Sequence, residues 1–560
     1  MPQSTPGVPM GNGVNKPRER TTHLTTLSFK PTTPSAADRG LWTIAGLVLG
    51  AALVIGVLIA LLPPAGRAAA DHFMFHEPAI RRFASDWPHV DLRGYLSATS
   101  PGFHLLLAPV AAVTHATPER GAALRLAGSV FTLGLLALLG LVVLKEHRRA
   151  GAHRAGTMAA LLTACLFCSV YVLFAGAWLL PDNAGWLGVV AMLGLAIDRI
   201  DRAERGALTR GSVARWLLLV GAAFLFVVAM RQSNIWTAGV VLVAAWLTPT
   251  DDRTHAGIGR PIDGSLQNVC SRLGARVASS LSVALALAPG LALLAYFASV
   301  WGGLVPTRFQ RQHQGANLAT PAFMLTVAAC LSVFFVGFWA PSLARLWRDR
   351  RALVLFAGAV GLLLGAVPVT TYLYPARASG LWGLVRVLGE RGGDIAGHTS
   401  GFILLGSVAG AICVCAWGAM LPASRRWLLG AALLAFVCAQ TANTNAWQRY
   451  IEPGLLILAA LACAWSGRPG GRFEPGGLLT DRRRAGRWSI DGLAPPLRVL
   501  GPVALCGLSL AGAWLSVRGS EPIDPRHPPG LPADVYTGPL PEKGGLPQSL
   551  RDVPRAAPQQ

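Results

Sequence analysis

Charge is what this sequence has least of: only 14% of its 560 residues are Asp, Glu, Lys or Arg, against roughly 25% in ordinary soluble domains. Together with 52% apolar residues, that scarcity excludes a soluble globular chain, because so much apolar surface needs lipid as its solvent. Acidic residues are the rarer sign, 27 against 49 Lys and Arg, for a net charge of +22. The basic residues sit in short clusters between apolar runs and build no continuous basic face, so no nucleic-acid partner is expected. Cysteine is sparse too. Eight of the nine lie within apolar runs and Cys270 lies in a loop, which argues against a disulfide framework or a zinc site. Cys165 and Cys168 form a C-x-x-C, but inside an apolar run, where a packing role is expected. No convincing internal repeat is present.

What is present is a series of apolar runs of roughly 16–23 residues, near the ~20 that a helix needs to cross a ~30 Å hydrocarbon core. The expected fold is an all-α polytopic membrane protein of about thirteen transmembrane helices: 41–62, 122–144, 157–178, 183–198, 214–230, 234–248, 276–298, 321–341, 352–373, 400–420, 427–442, 450–466 and 497–516. Residues 1–40, too polar for a signal peptide, read as a disordered cytoplasmic tail, 41–516 as the membrane domain and 517–560 as a Pro-rich external tail.

Alternate loops should collect positive charge on the cytoplasmic side. Lys145, Arg148, Arg149 and Arg154 do so, as do Arg199, Arg202 and Arg205, then Arg345 to Arg351, Arg425 with Arg426, and Arg482 to Arg487. This orientation puts residues 64–120 outside as the first external loop, with two juxtamembrane helices. One follows Pro78 and sets Ile80, Phe83, Ala84 and Trp87 on one face; the other, about His104 to Val113, is too short to span.

Polar groups at a membrane boundary are costly unless hydrated or paired, so function is sought among those on the outer side. The first loop carries Asp71, His72, His76, Glu77, Asp86 and Asp91; Asp182 follows in Leu179-Leu180-Pro181-Asp182-Asn183, where a helix cap competes with a functional role. Arg231, Arg308, Arg311, His313, Arg377, Arg386, Arg391, Arg449 and Tyr450 are further outer-side residues. A carboxylate-rich loop facing several arginines juxtaposes a candidate general base with a site for a phosphate-bearing lipid.

Five segments resemble the GT-C glycosyltransferases, and most closely the family of dolichyl-phosphate-glucose-dependent α-1,2-glucosyltransferases. They are Phe75-His76-Glu77-Pro78 with Arg82-Phe83; Thr99-Ser100-Pro101-Gly102; Arg231-Gln232-Ser233-Asn234-Ile235; Trp301-Gly302-Gly303-Leu304-Val305 with His313; and Arg449-Tyr450 with Pro453. The family's acidic pair stands here as Asp71-His72, and its later aspartate-asparagine-arginine as Ala376-Arg377.

The resemblance implies inverting transfer of a hexose from a polyprenyl-phosphate sugar to a lipid-linked, glycan or protein acceptor. The outer face would be periplasmic in a bacterial inner membrane. Asp71 is the expected base, with His76 and Glu77 as second choices. Asp182 would orient the base, bind acceptor or help hold a divalent cation such as Mg or Mn, the metal requirement being left open. Arg231, His313, Arg377, Arg449 and Tyr450 would bind the donor phosphate. A multi-span lipid or polysaccharide transporter is the alternative from another class, and a scaffold without chemistry a further one.

Overall fold

A computed structural model describes residues 36–62, 65–115, 121–152, 154–249, 266–313, 315–371, 381–391, 393–466, 490–520 and 523. The expected tails, residues 1–35 and most of 517–560, and Arg377 among the site candidates, lie outside the described residues.

The described chain is helical apart from four two-residue strands. It enters on α1 (Ala36–Leu61) and continues through α2 (Gly66–Asp71), a π turn (His72–His76), α3 (Glu77–Asp86) and α4 (Gly102–Thr114). Then come α5 (Ala122–Arg149), α6 (Ala155–Cys168), α7 (Val170–Ala177), α8 (Asp182–Glu204), α9 (Arg210–Met230) and, after a 3-10 turn (Gln232–Trp236), α10 (Thr237–Leu247). The second half holds α11 (Leu266–Trp301), α12 (Thr307–His313), α13 (Thr320–Ser332), α14 (Val336–Ala366), α15 (Leu384–Arg391), α16 (Gly401–Ala419), α17 (Ala423–Thr441), α18 (Gln448–Trp465) and α19 (Ile490–Arg518). Two strand pairs tie loops together, Leu381–Trp382 parallel to Ala446–Trp447 and Asp394–Ile395 antiparallel to Thr399–Ser400.

Among the described residues, eight helices are long and apolar enough to cross a membrane, or nine if α6 and α7, bent by 73° at Ser169, form one broken span. The chain is therefore a multi-span membrane protein, but thirteen crossings do not pass this measure. The expected runs fall largely on helix, the run 352–373 outlasting α14, which ends at Ala366; the difference in number lies in three places. The helical segment Thr320–Ala366 counts once at 47 residues, roughly 70 Å at 1.5 Å per residue, and it breaks at Arg350 (φ −146°, ψ 46°). The apolar helix ending at Leu247 is short, and α17 and α18 carry Arg425, Arg426, Arg449 and Glu452 near their starts.

Lipid as solvent explains the inverted exteriors of the long helices. On α1, Leu49, Leu53 and Leu61 are exposed, as are Leu281 and Leu285 on α11 and Leu508 and Leu515 on α19. In contrast, α8 and α18 are enclosed by other helices, with Met192, Ile197, Ile457 and Leu461 fully buried.

Three helices, α5, α8 and α18, set the geometry because polar groups gather at both their ends. At the C-terminal ends, the buried Arg425 reaches Asp201, Glu204 at 3.4 Å and Glu146 at 4.0 Å, while Trp465 donates to Glu146 at 2.7 Å. Arg149 joins Glu146 at 2.9 Å and also contacts Asp201. Arg425, expected as a loop charge, is instead part of a closed ionic cluster. Asp182 and Arg449 start α8 and α18, so the 23 residues of α8 hold the two polar ends roughly 33 Å apart, about one hydrocarbon thickness.

The candidate active site

The site begins with a change of helical pitch. From Gly66 to Asp86 the chain winds continuously, but between Asp71 and Glu77 it widens to a π turn, in which the Glu77 amide donates to the His72 carbonyl five residues back. The widening brings residues five apart onto one face. Asp71 and His76 consequently line one cavity. His72 and Glu77 share another face, Nε2 to Oε2 at 3.0 Å, where the Leu179 amide donates to His72 Nδ1 at 3.1 Å.

That cavity, about 580 Å³, is bounded by Asp71, Met74, Phe75, His76, the Ser97–Thr99 segment, Phe309, His313, Trp447, Arg449 and Tyr450. Arg449 donates from Nη1 to the Asp71 carboxylate and from Nη2 to Tyr450 Oη at 2.9 Å. It also borders a second, smaller cavity of about 150 Å³, walled by Tyr171, Phe174, Trp178, Asp182 and Trp186.

Asp182 and Arg231, each with an 8% exposed side chain, form a second ion pair. Gly185, one turn along α8, leaves room for it, since a Cβ there would stand 3.2 Å from Arg231 Cβ. The Arg231 guanidinium stacks on the Tyr450 ring at 4.0 Å, and the Arg449 guanidinium lies 4.8 Å from the same ring. One aromatic ring thus lies within cation–π reach of two guanidiniums. His313 feels both: burial first, then the charges of Arg231 and Arg449, hold its imidazole down to about 4.

Gln232 ties three loops together. Its Oε1 accepts from Ser100 at 2.9 Å, and its Nε2 donates to the carbonyls of Ala98 at 2.7 Å and Leu304 at 3.1 Å. Gly102, opening α4, permits the close approach this requires, for a Cβ there would lie 2.5 Å from the Ala229 carbonyl oxygen. Trp301 donates to the Leu92 carbonyl at 2.8 Å and stacks on Tyr95, fixing the middle of the first loop.

Of the expected site residues, Asp71, His76, His313, Arg449 and Tyr450 meet around the larger cavity. Asp182 stands on the smaller one, and Arg231 reaches the group through Asp182 and Tyr450. Glu77 does not line either cavity. It is 2% exposed, paired with His72 and Arg81; burial alone would push its carboxyl up, but those two partners outweigh burial and hold it down. Ile80 and Phe83 of the helix after Pro78 are buried against the rest of the protein, whereas Trp87 is 64% exposed, because the helix ends at Asp86.

Sequence reasoning missed Tyr95 and the role of His104. Tyr95 Oη lies 2.6 Å from His104 Nδ1, and His104 Nε2 lies 3.0 Å from His76 Nδ1. The sequence signal is that all three residues lie in the first external loop.

Among the described residues, no group of three or more His, Cys, Asp or Glu is arranged to hold a metal ion, and Asp71 and Asp182 are each engaged by an arginine.

Fold and site together define a polytopic membrane protein with a chamber at one end of its helix bundle, on whose largely apolar wall Asp71 and Arg449 are paired. No known family profile matches the sequence, and no curated protein matches it. Among solved structures, the chain is similar to the archaeal oligosaccharyltransferase AglB from Archaeoglobus fulgidus, solved with an inhibitory peptide and a dolichol-phosphate. The two are 13% identical with a TM-score of 0.37, over 86% of this chain and 56% of that one.

Proposed function

We propose that this protein is a membrane glycosyltransferase of the GT-C kind, moving a hexose from a polyprenyl-phosphate sugar to an acceptor hydroxyl by a single, inverting displacement. What supports the reading is the Asp71–Arg449 pair on the wall of a 580 Å³ chamber: a carboxylate able to take a proton beside a guanidinium able to hold a phosphate.

The acceptor oxygen attacks the anomeric carbon as the bond from that carbon to the phosphate oxygen breaks. The hydroxyl proton passes to Asp71. The bonding electrons leave on the phosphate, whose charge Arg449 and Arg231 meet, with His313 and Tyr450 beside them and Arg377 assigned to the same set by sequence alone. Asp182 holds Arg231 in place. No step runs through a metal. In this reading the chamber faces the periplasm or cell exterior, and the chain crosses the inner membrane thirteen times.

The test is transfer of radiolabelled sugar from a panel of polyprenyl-phosphate sugars to cell-envelope lipid, comparing purified wild type with Asp71→Asn and Asp182→Asn. Label transferred by wild type and lost in Asp71→Asn is the expected result. Absence of transfer from every donor by the folded protein would favour a transporter instead.

A further inference from the structure

Three buried groups run in file from the first loop to the chamber: Tyr95 at 1% exposure, His104 at 0% and His76 at 5%. Tyr95 has one proton, and burial pushes its phenol up, so that proton stays. Around its Oη lie His104 Nδ1 at 2.6 Å, the Ser100 carbonyl at 3.2 Å and the hydroxyls of Ser97 and Thr99, which can donate to the phenol oxygen. An N–H donating to oxygen spans about 2.7–3.2 Å and an O–H donating to oxygen about 2.5–3.0 Å, so 2.6 Å is short for His104 donating to the phenol and 3.2 Å is long for the phenol donating to Ser100; the phenol O–H is therefore assigned to the ring nitrogen.

The remaining protons follow by elimination. A neutral imidazole that accepts at Nδ1 carries its hydrogen on Nε2. His104 Nε2–H therefore donates across 3.0 Å to His76 Nδ1, and His76 in turn carries its hydrogen on Nε2. His76 lines the chamber, and Nε2 is the ring nitrogen the chain leaves for it. Both rings stay neutral: burial holds His104 down to about 3, and burial, then His104, Arg449, His72 and Arg231, hold His76 well below its ordinary range.

We propose that Tyr95 and His104 are positioning residues that fix His76 as a neutral hydrogen-bond donor, its Nε2–H directed at the phosphate oxygen of the lipid donor. The phosphate assignment rests on the function proposed above; the tautomer does not. His76 is then not a base, which leaves proton removal to Asp71. A neutral donor beside Arg449 recognises an anion without adding a charge that would compete for the two carboxylates.

The experiment uses the full chain in lipid nanodiscs with ¹⁵N-labelled histidine. The His76 signals are assigned by their loss in His76→Gln, and the tautomer is read from the ring-nitrogen shifts near neutral pH. The expected result is Nε2–H on both rings in wild type, with Tyr95→Phe moving the His104 Nδ1 resonance and mixing the tautomers of His76. A wild-type His76 that carries its proton on Nδ1, or that is an imidazolium, overturns the proposal.

The second arm titrates farnesyl phosphate. Affinity should fall about tenfold in His76→Ala and be largely restored in His76→Gln, whose amide is also a donor. Unchanged affinity in His76→Ala overturns the phosphate role. Failure of the wild type to bind farnesyl phosphate overturns both that role and the lipid-phosphate reading, while the tautomer is judged separately by the spectra.

Discussion

The Asp71 carboxylate and the Arg449 guanidinium are hydrogen-bonded although 378 positions separate them in the chain. The pair joins the end of α2 to the start of α18 and so closes the chamber between the first loop and a central helix. It also sets a condition on catalysis, since a base engaged by a cation is positioned but must still meet the acceptor hydroxyl.

Asp71→Asn keeps the shape of this contact and removes the proton acceptor. Turnover should fall by about 10²–10⁴-fold with the protein still folded. Normal turnover in a variant that elutes and unfolds like wild type would falsify the assignment.

Removing one partner of the Asp182–Arg231 pair strands a charge in a buried place. Arg231→Ala should cost about 3–5 kcal/mol of stability, whereas Arg231→Lys should retain most of it and lose the flat stacking on Tyr450. Thermal unfolding in detergent reads the first effect and donor affinity the second. Equal stabilities for all three proteins would mean that the pair contributes nothing.

His76, His104 and His313 all bind protons less readily when folded than the ordinary value of 6.5. Below about pH 6.5 the unfolded chain takes up protons that the folded chain refuses, so stability must fall as the pH drops towards about 4. The unfolding midpoint should decrease from about pH 7.5 to about 5, and less steeply in His313→Asn. A midpoint that rises on acidification contradicts the sign.

The ionic cluster at the far end predicts a separation of effects. Arg425→Met leaves Asp201, Glu204 and Glu146 without that cation and should destabilise by about 3–5 kcal/mol, with no change in donor affinity for the protein that remains folded. A selective loss of donor affinity would instead couple the two ends.

Sidedness is testable by labelling. With the exposed Cys270 and Cys438 replaced, His89→Cys should react with an impermeant maleimide added outside intact cells. Ala207→Cys, beyond the end of α8, should react only after permeabilisation. Reversed labelling would turn the chamber to the cytoplasm.

The legible part of this protein was whatever depends on neighbours along the chain. Apolar runs long enough for lipid, basic clusters at alternate ends and the helix after Pro78 are local properties, and the described helices follow them. The candidate residues were legible as types and positions because polar groups at a membrane edge stand out against an apolar background.

Their grouping was decided only by tertiary structure. A helix of ordinary pitch does not set Asp71 and His76 on one wall; a π turn does, and whether the backbone widens there depends on what packs around it. That Arg449 comes to Asp71 and Arg231 to Tyr450, and that Arg425 is buried rather than solvated, follow from contacts between distant segments. A sequence fixes which side chains carry charge and where the chain meets lipid, because hydropathy and helix length act locally. Which charges neutralise one another is set by the way the helices pack.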